Sequence, residues 1–267
     1  MQRLKNQFNL ILTAFGFFTR IPIPKNIAFS QSNLNKCNRY LPIVGYVVGA
    51  ICGLIYITLS QLLPHSVSIL LSMASSILLT GAFHEDGFAD VCDAFGGGWT
   101  KEKILTIMKD SRIGAYGAVG IILLLFTKFS SLDAIPSNKI VIALIAAHVL
   151  SRLMAVSTMH SLSYVREDET SKSKPITKSL HSKEILIAFF ISLPVLFLFN
   201  DLRILLVIIP LILSKYLLER YFKKWIGGYT GDCLGTIQQV TELVVYLTIL
   251  SIIHMDASNN PFNQLFK

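Results

Sequence analysis

With 267 residues, a mean hydropathy of +0.57 and only 15% charged residues, the chain carries far less charge than the roughly 25% of an ordinary soluble domain. Several apolar runs approach the ~20 residues needed to cross a bilayer, which argues against a soluble fold and indicates one all-α, polytopic membrane bundle over residues 1–267. Cys37, Cys52, Cys92 and Cys233 form no CxxC pair, which argues against a disulfide framework or a structural zinc site.

The first segment, 1–39, reads as cytoplasmic or interfacial. Arg3 and Lys5 precede an apolar run at 8–18 that imitates a signal peptide, yet Thr19-Arg20-Ile21-Pro22 follows instead of a small-x-small cleavage site. The run is therefore expected to stay on the protein as an interfacial or re-entrant helix. Apolar length and polar punctuation then place about seven transmembrane helices, near 40–62, 66–83, 113–127, 140–158, 184–200, 202–219 and 235–255. With the N-terminus inside, 18 lysines and arginines fall on the cytoplasmic side and four, Lys128, Lys139, Arg203 and Lys267, on the other. That bias predicts an N-in, C-out topology and gathers the net charge of +8 on one face. Such a face attracts anionic membrane lipid or a phosphorylated substrate.

Acidic groups concentrate at 84–112, directly after the second span. If that helix continues, ~100° per residue puts Asp86, Asp90 and Asp93 within about 60° of one another on a single stripe. Glu85 lies about 100° off it, toward a second ion or a neighbouring helix. Like charges stacked in this way destabilise a helix unless a cation sits between them. Three converging oxygen ligands suit Mg²⁺ or Mn²⁺, so Glu85, Asp86, Asp90 and Asp93 are candidate metal ligands. Gly87 permits close approach of another backbone or a phosphate, and Gly96-Gly97-Gly98 is expected to end the helix. Arg112, just before the third span, has the planar fork that fits a phosphate. Gly114, Gly117 and Gly120 recur every third residue, as in a close helix–helix contact.

Two charges fall inside spans at similar depth. Arg152 and Glu242 both sit roughly 10 Å from the cytoplasmic end of their helices, at ~1.5 Å per residue. They are expected to meet or to share a polar cavity, with Gln238 one turn from Glu242 on the same face. His148, four residues before Arg152, reads as a packing residue. "GGYTGDCLGTIQQVTE" (227–242) repeats the earlier design of glycines, an acid (Asp232) and polar residues entering a helix. The cytoplasmic loop 159–183 contains a polar stretch, 164–179, where Arg166, Lys172 and Lys174 are phosphate-binding candidates or a plain linker.

Taken together, "TRIPIP" (19–24), "HEDGFADVCDAFGGG" (84–98), "IMKDSRIGAYG" (107–117), "YVRE" (164–167) and "GDCLGTIQQVTEL" (231–243) resemble the cobalamin synthase family, the adenosylcobinamide-GDP ribazoletransferases. The departures are Phe88, where a smaller aliphatic residue is usual, and Cys92 inside the motif; the 164–179 loop matches least. The resemblance implies a Mg²⁺-dependent enzyme of the cytoplasmic membrane with its site on the cytoplasmic face. The ribose 3′-hydroxyl of α-ribazole, or of its 5′-phosphate, would attack the corrin-side phosphate of adenosylcobinamide-GDP and release GMP. Arg20, Lys109 and Ser111, inside the matching pieces, join Arg112, Arg152, Arg166, Lys174 and Gln238 as substrate or phosphate ligands. Asp93, Asp232 and Glu242 are the candidates for the carboxylate that takes the hydroxyl's proton. No nucleic-acid partner is expected, and a homo-oligomer is allowed.

Two rivals share part of this logic. A CDP-alcohol phosphatidyltransferase also uses an aspartate-rich helix and a metal, but its signature needs Ala-Arg where this chain has Ala89-Asp90. A divalent-cation transporter would hold its ion near the bilayer midplane, commonly between internal repeats. The acids here lie at the surface, and no clear repeat is present.

Overall fold

In lipid a backbone must satisfy its own polar groups, and this chain does so almost wholly by helices. The computed structural model describes residues 2–166 and 180–258. Helix α1 (Gln2–Phe18) is followed by α2 (Gln31–Cys37), α3 (Leu41–Leu59), α4 (His65–Thr80) and α5 (Phe83–Gly97). Next come α6 (Lys101–Ile107), α7 (Ala115–Asp133), α8 (Ser137–Ser161) and α9 (Ser182–Ser192), then α10 (Ile208–Ile226) and α11 (Gly231–Ser258). Short 3₁₀ segments, Leu193–Phe199 and Leu202–Val207, join α9 to α10. Among the described residues the extended pairing is a single bridge between Tyr164 and Tyr229.

Five stretches are long and apolar enough to cross a membrane: Gln31–Leu59, Ala115–Asp133, Ser137–Ser161, Ser182–Phe199 and Gly231–Met255. The pair α4–α5 makes a sixth if the two are taken as one broken span. The expected sixth span, 202–219, is not among them, because α10 carries Lys215, Glu219, Arg220, Lys223 and Lys224. The N-terminal run is the helix α1, as its apolar pattern suggests. Helix α8 is the centre of the bundle. Gly45, Gly49 and Gly53 of α3 face it, and an added Cβ would lie 2.5 Å from the His148 carbonyl oxygen, 2.6 Å from Ile145 Cα and 2.8 Å from a Val141 methyl. A row of small residues four apart lets the two helices touch along their length.

Three expectations need correction. The helix after the second span does not continue: Gly81 (φ 70°) and Ala82 (φ 58°) are left-handed, and α5 leaves α4 at 89°. Left-handed residues cannot propagate a right-handed helix. The Arg20 backbone N–H donates to Leu79 O at 2.7 Å, and its guanidinium lies so close to Gly81 that a Cβ there would be 2.6 Å from Nε. Second, the third span runs on to Asp133, so Lys128 lies within it and is buried, not at the outer surface. Its spacing of four from Leu124 and Leu132 places it on the packed face. Lys128 therefore leaves the group of four expected on the outer side. Third, His148 is more than a packing residue: it is buried, as expected, and also stands within a cluster of charged side chains, described below.

Candidate active site

Helices α5 and α11 form the two walls of an acidic corner. Gly87 makes their contact possible: a Cβ there would lie 2.9 Å from Asp232 Cα and 3.1 Å from the Asp232 carbonyl oxygen. Gly235 lies as close to His84, and Thr236 donates to the Gly87 carbonyl at 3.4 Å. The contact brings Asp86 and Asp90 of α5 opposite Asp232 in the first turn of α11. Asp86 is exposed, while Asp90 and Asp232 are half-buried. The Asp90 carboxyl is pushed up to about 7, chiefly by burial, then by the charges of Asp232 and Asp86. Arg166 is the cation of the corner, 2.7 Å from Asp232 Oδ2. A crossed pair of backbone bonds holds it there: Val165 N–H donates to Tyr229 O, and Tyr229 N–H to Ser163 O, both at 3.0 Å.

Asp93 sits on the same helix with a different set of partners. Its Oδ2 accepts from Gly114 N–H at 2.7 Å and its Oδ1 from Gly117 N–H at 2.8 Å. It thus caps α7 from α5, and Gly114 and Gly117 have no side chain because Asp93 fills that space. Gly120 abuts Cys92 in the same contact, so the glycine row is a helix interface, as its spacing suggests. Arg166 also donates to the Met108 carbonyl at 3.1 Å, so the segment Met108–Gly114 is hung between Arg166 and Asp93. Lys109, Ser111 and Arg112 are exposed on that segment. Arg112 clasps Asp110 with a closest contact of 2.6 Å and holds its carboxyl down at about 2, mainly through these hydrogen bonds. Arg20 stands at the α4–α5 elbow, and Lys174 lies outside the described residues.

The family described as cobalamin-5-phosphate synthase matches residues 10–250. The chain belongs to that family. It is 45% identical over 249 residues to the adenosylcobinamide-GDP ribazoletransferase of Shewanella frigidimarina, covering 92% of this chain and 95% of the relative. The protein of the same name from Vibrio parahaemolyticus is 40% identical over 251 residues, covering 93% and 94%. No solved structure matches the chain.

The remaining candidates of this cobalamin-5-phosphate synthase family member turn away from the corner, into the bundle. Glu242 is buried and receives Lys128 Nζ at 2.8 Å, Gln238 Nε2 at 2.5 Å and Tyr246 OH at 3.4 Å, with His148 Nδ1 at 3.3 Å. Arg152 Nη1 reaches the same His148 Nδ1 at 3.1 Å and the His148 carbonyl at 3.0 Å. Arg152 and Glu242 therefore meet through His148. Glu85 joins them instead of the aspartates: its Oε1 accepts from Gln239 Nε2 at 2.9 Å. Sequence reasoning overlooked Lys128 and Gln239. The signal for Lys128 was its spacing from Leu124 and Leu132; Gln239 adjoins Gln238, one residue toward α5.

Proposed function

We propose that this chain is an adenosylcobinamide-GDP ribazoletransferase whose reaction takes place at the Asp86–Asp90–Asp232 corner, on the cytoplasmic face of the cell membrane. Family membership over residues 10–250 and the names of its relatives support the reaction. The observation that supports the place is the α5–α11 contact at Gly87, which sets two aspartates on one wall against a third on the other. The distribution of lysine and arginine supports the side of the membrane.

The donor set suits Mg²⁺. Among the described residues no three acidic, cysteine or histidine side chains already form a cage for an ion. Mg²⁺ needs none, since it is held by one or two carboxylates together with substrate phosphates and water. Asp86 and Asp90 would supply those carboxylates. An ion held there would supply positive charge against the diphosphate and the departing GMP. The chain's own groups do the rest. Asp232, oriented by Arg166 and by Thr230 Oγ1 at 3.4 Å on the same Oδ2, accepts the proton of the ribose 3′-hydroxyl. That oxygen then bonds to the corrin-side phosphorus as the bond to the GMP oxygen breaks. Lys109 and Arg112, exposed on the segment hung beside the corner, hold phosphate oxygens.

GMP release from GDP-activated cobinamide and α-ribazole, in membranes with and without Mg²⁺, tests this reading. Asp86→Asn and Asp90→Asn should each abolish release while the protein still inserts. Full activity in either variant, or activity indifferent to Mg²⁺, would remove the corner from the chemistry.

A further inference from the structure

The acidic corner exists only if α5 and α11 keep one register, and its aspartates do nothing to enforce it, since they repel one another. A buried chain of polar side chains runs behind it. Gln239 of α11 donates to Glu85 Oε1 at 2.9 Å and to Gln238 Oε1 at 2.8 Å, while its own Oε1 accepts from Lys128 Nζ of α7 at 2.6 Å. Lys128 is 2.8 Å from Glu242, one turn further along α11. The Glu85 Oε2 atom is buried and has no partner among the described residues. Gln239 is therefore the hydrogen-bond donor to Glu85 there, and Lys128 fixes which way the Gln239 amide points. A reversed amide would set its NH₂ against the ammonium and its oxygen against the carboxylate. Glu85 is the immediate neighbour of Asp86 and precedes Asp90 on the same helix.

We propose that Lys128 and Gln239 are positioning residues for the acidic corner: they hold Glu85 to α11, and so fix the helix that carries Asp86 and Asp90 against the helix that carries Asp232. The inference rests on the function proposed above. It assigns work to a lysine in the bundle's interior that touches neither substrate nor ion. It also explains why Glu242, enclosed by Lys128, Gln238, His148 and Tyr246, is a counter-charge and not the group that takes the substrate proton. The logic is that of metal sites generally, where residues behind the ligands set their orientation.

The test is Mn²⁺ affinity of the purified protein in detergent, read by electron paramagnetic resonance alongside the number of sites. A merely structural defect lowers the number of sites; a positioning defect raises Kd. Gln239→Leu should raise the Mn²⁺ Kd by about 10-fold or more, the loss typical when a group behind a ligand is removed. Because Lys128→Met alone would strand the Glu242 charge, the neutral pair Lys128→Met with Glu242→Gln is used. It should raise Kd as well, and adding Gln239→Leu to it should make the affinity no worse than Gln239→Leu alone. Unchanged Kd in Gln239→Leu, with wild-type Mn²⁺ binding that is lost in Asp90→Asn, overturns the positioning role and leaves the corner standing. Wild-type Mn²⁺ binding that survives Asp90→Asn overturns the corner itself.

Discussion

Asp93→Asn separates capping from chemistry. In the native protein both Asp93 oxygens accept backbone N–H groups, from Gly114 at 2.7 Å and Gly117 at 2.8 Å. Gly114 is the N-cap of α7 and has no side chain to satisfy those amides, so Asp93 serves as the cap from another helix. Its charge also faces the positive end of the α7 dipole. Bonds of this charge-assisted type contribute about 1.5–3 kcal/mol each. Asparagine keeps one carbonyl oxygen and turns an NH₂ toward the other amide, losing one bond and leaving a donor unmet, a net loss of about 2 kcal/mol. At ~2–4 °C per kcal/mol for a chain of this size, the melting midpoint in detergent should fall by about 4–8 °C. The segment Met108–Gly114 loses one of its two anchors, so KM for the GDP-activated substrate should rise more than kcat falls. Asp86→Asn is the control: that side chain is exposed and makes no such cap, so kcat should collapse with the midpoint unchanged. An Asp93→Asn protein with a wild-type midpoint and a collapsed kcat would refute the capping assignment and return Asp93 to the reacting groups.

Two further outcomes follow from the same geometry. Gly87→Ala places a methyl 2.9 Å from Asp232 Cα, and since that neighbour is backbone the two walls must part. Parting by about half an ångström should lower kcat by about 10-fold without loss of membrane insertion, and near-normal turnover would show that the wall spacing is not critical. Asp90 holds a proton near neutral pH, because burial and the charges of Asp232 and Asp86 raise its carboxyl to about 7. A ligating carboxylate must be ionised, so Mg²⁺ binding should release roughly three-quarters of a proton at about pH 6.5 and almost none at about pH 8.5, where Asp90 is already ionised. Calorimetry in two buffers of different ionisation enthalpy reads this directly; equal release at both values would contradict the placement of Asp90. The sign for the metal-free protein follows: a raised folded value means stability falls as pH climbs from the unfolded carboxyl range toward 7, and is flat above it.

Much of the fold was legible because apolar length and polar punctuation are strong signals in a membrane chain. Helices α3, α8 and α11 lie where hydropathy puts them, α7 starts where expected but runs past its expected end, and Gly98 ends the acidic helix as the glycine run suggests. Lys128 escaped because hydropathy treats any lysine as a boundary. Its partner lies more than a hundred residues later, at Glu242, and a long-range pair leaves no trace in a local window. The site was half legible for a related reason. Spacing correctly placed Asp86, Asp90 and Asp93 on one helix and Glu85 off their stripe. Spacing is silent on what lies opposite, so it could not tell that Asp232 faces Asp90 while Asp93 faces the amides of α7.

The elbow at Gly81-Ala82 explains why an acidic site can form here at all. A straight continuation of α4 would carry Asp90 about 15 Å beyond Thr80 along the helix axis, at ~1.5 Å per residue, into water and away from the rest of the bundle. Turning by 89° lays α5 across the mouth of the bundle instead, where it meets the first turns of both α7 and α11. The turn needs two left-handed residues in succession, and one of them is an alanine, whose Cβ disfavours that conformation by about 1–2 kcal/mol. Packing must repay that strain. Gly87 admits the α11 backbone, Asp93 caps α7 and Glu85 is pinned by Gln239, all within the one helix the elbow redirects. The residues that hold α5 in place are thus interleaved with those proposed to react, and an acid-rich helix stays against the bundle because Glu85, Gly87 and Asp93 tie it to α11 and α7.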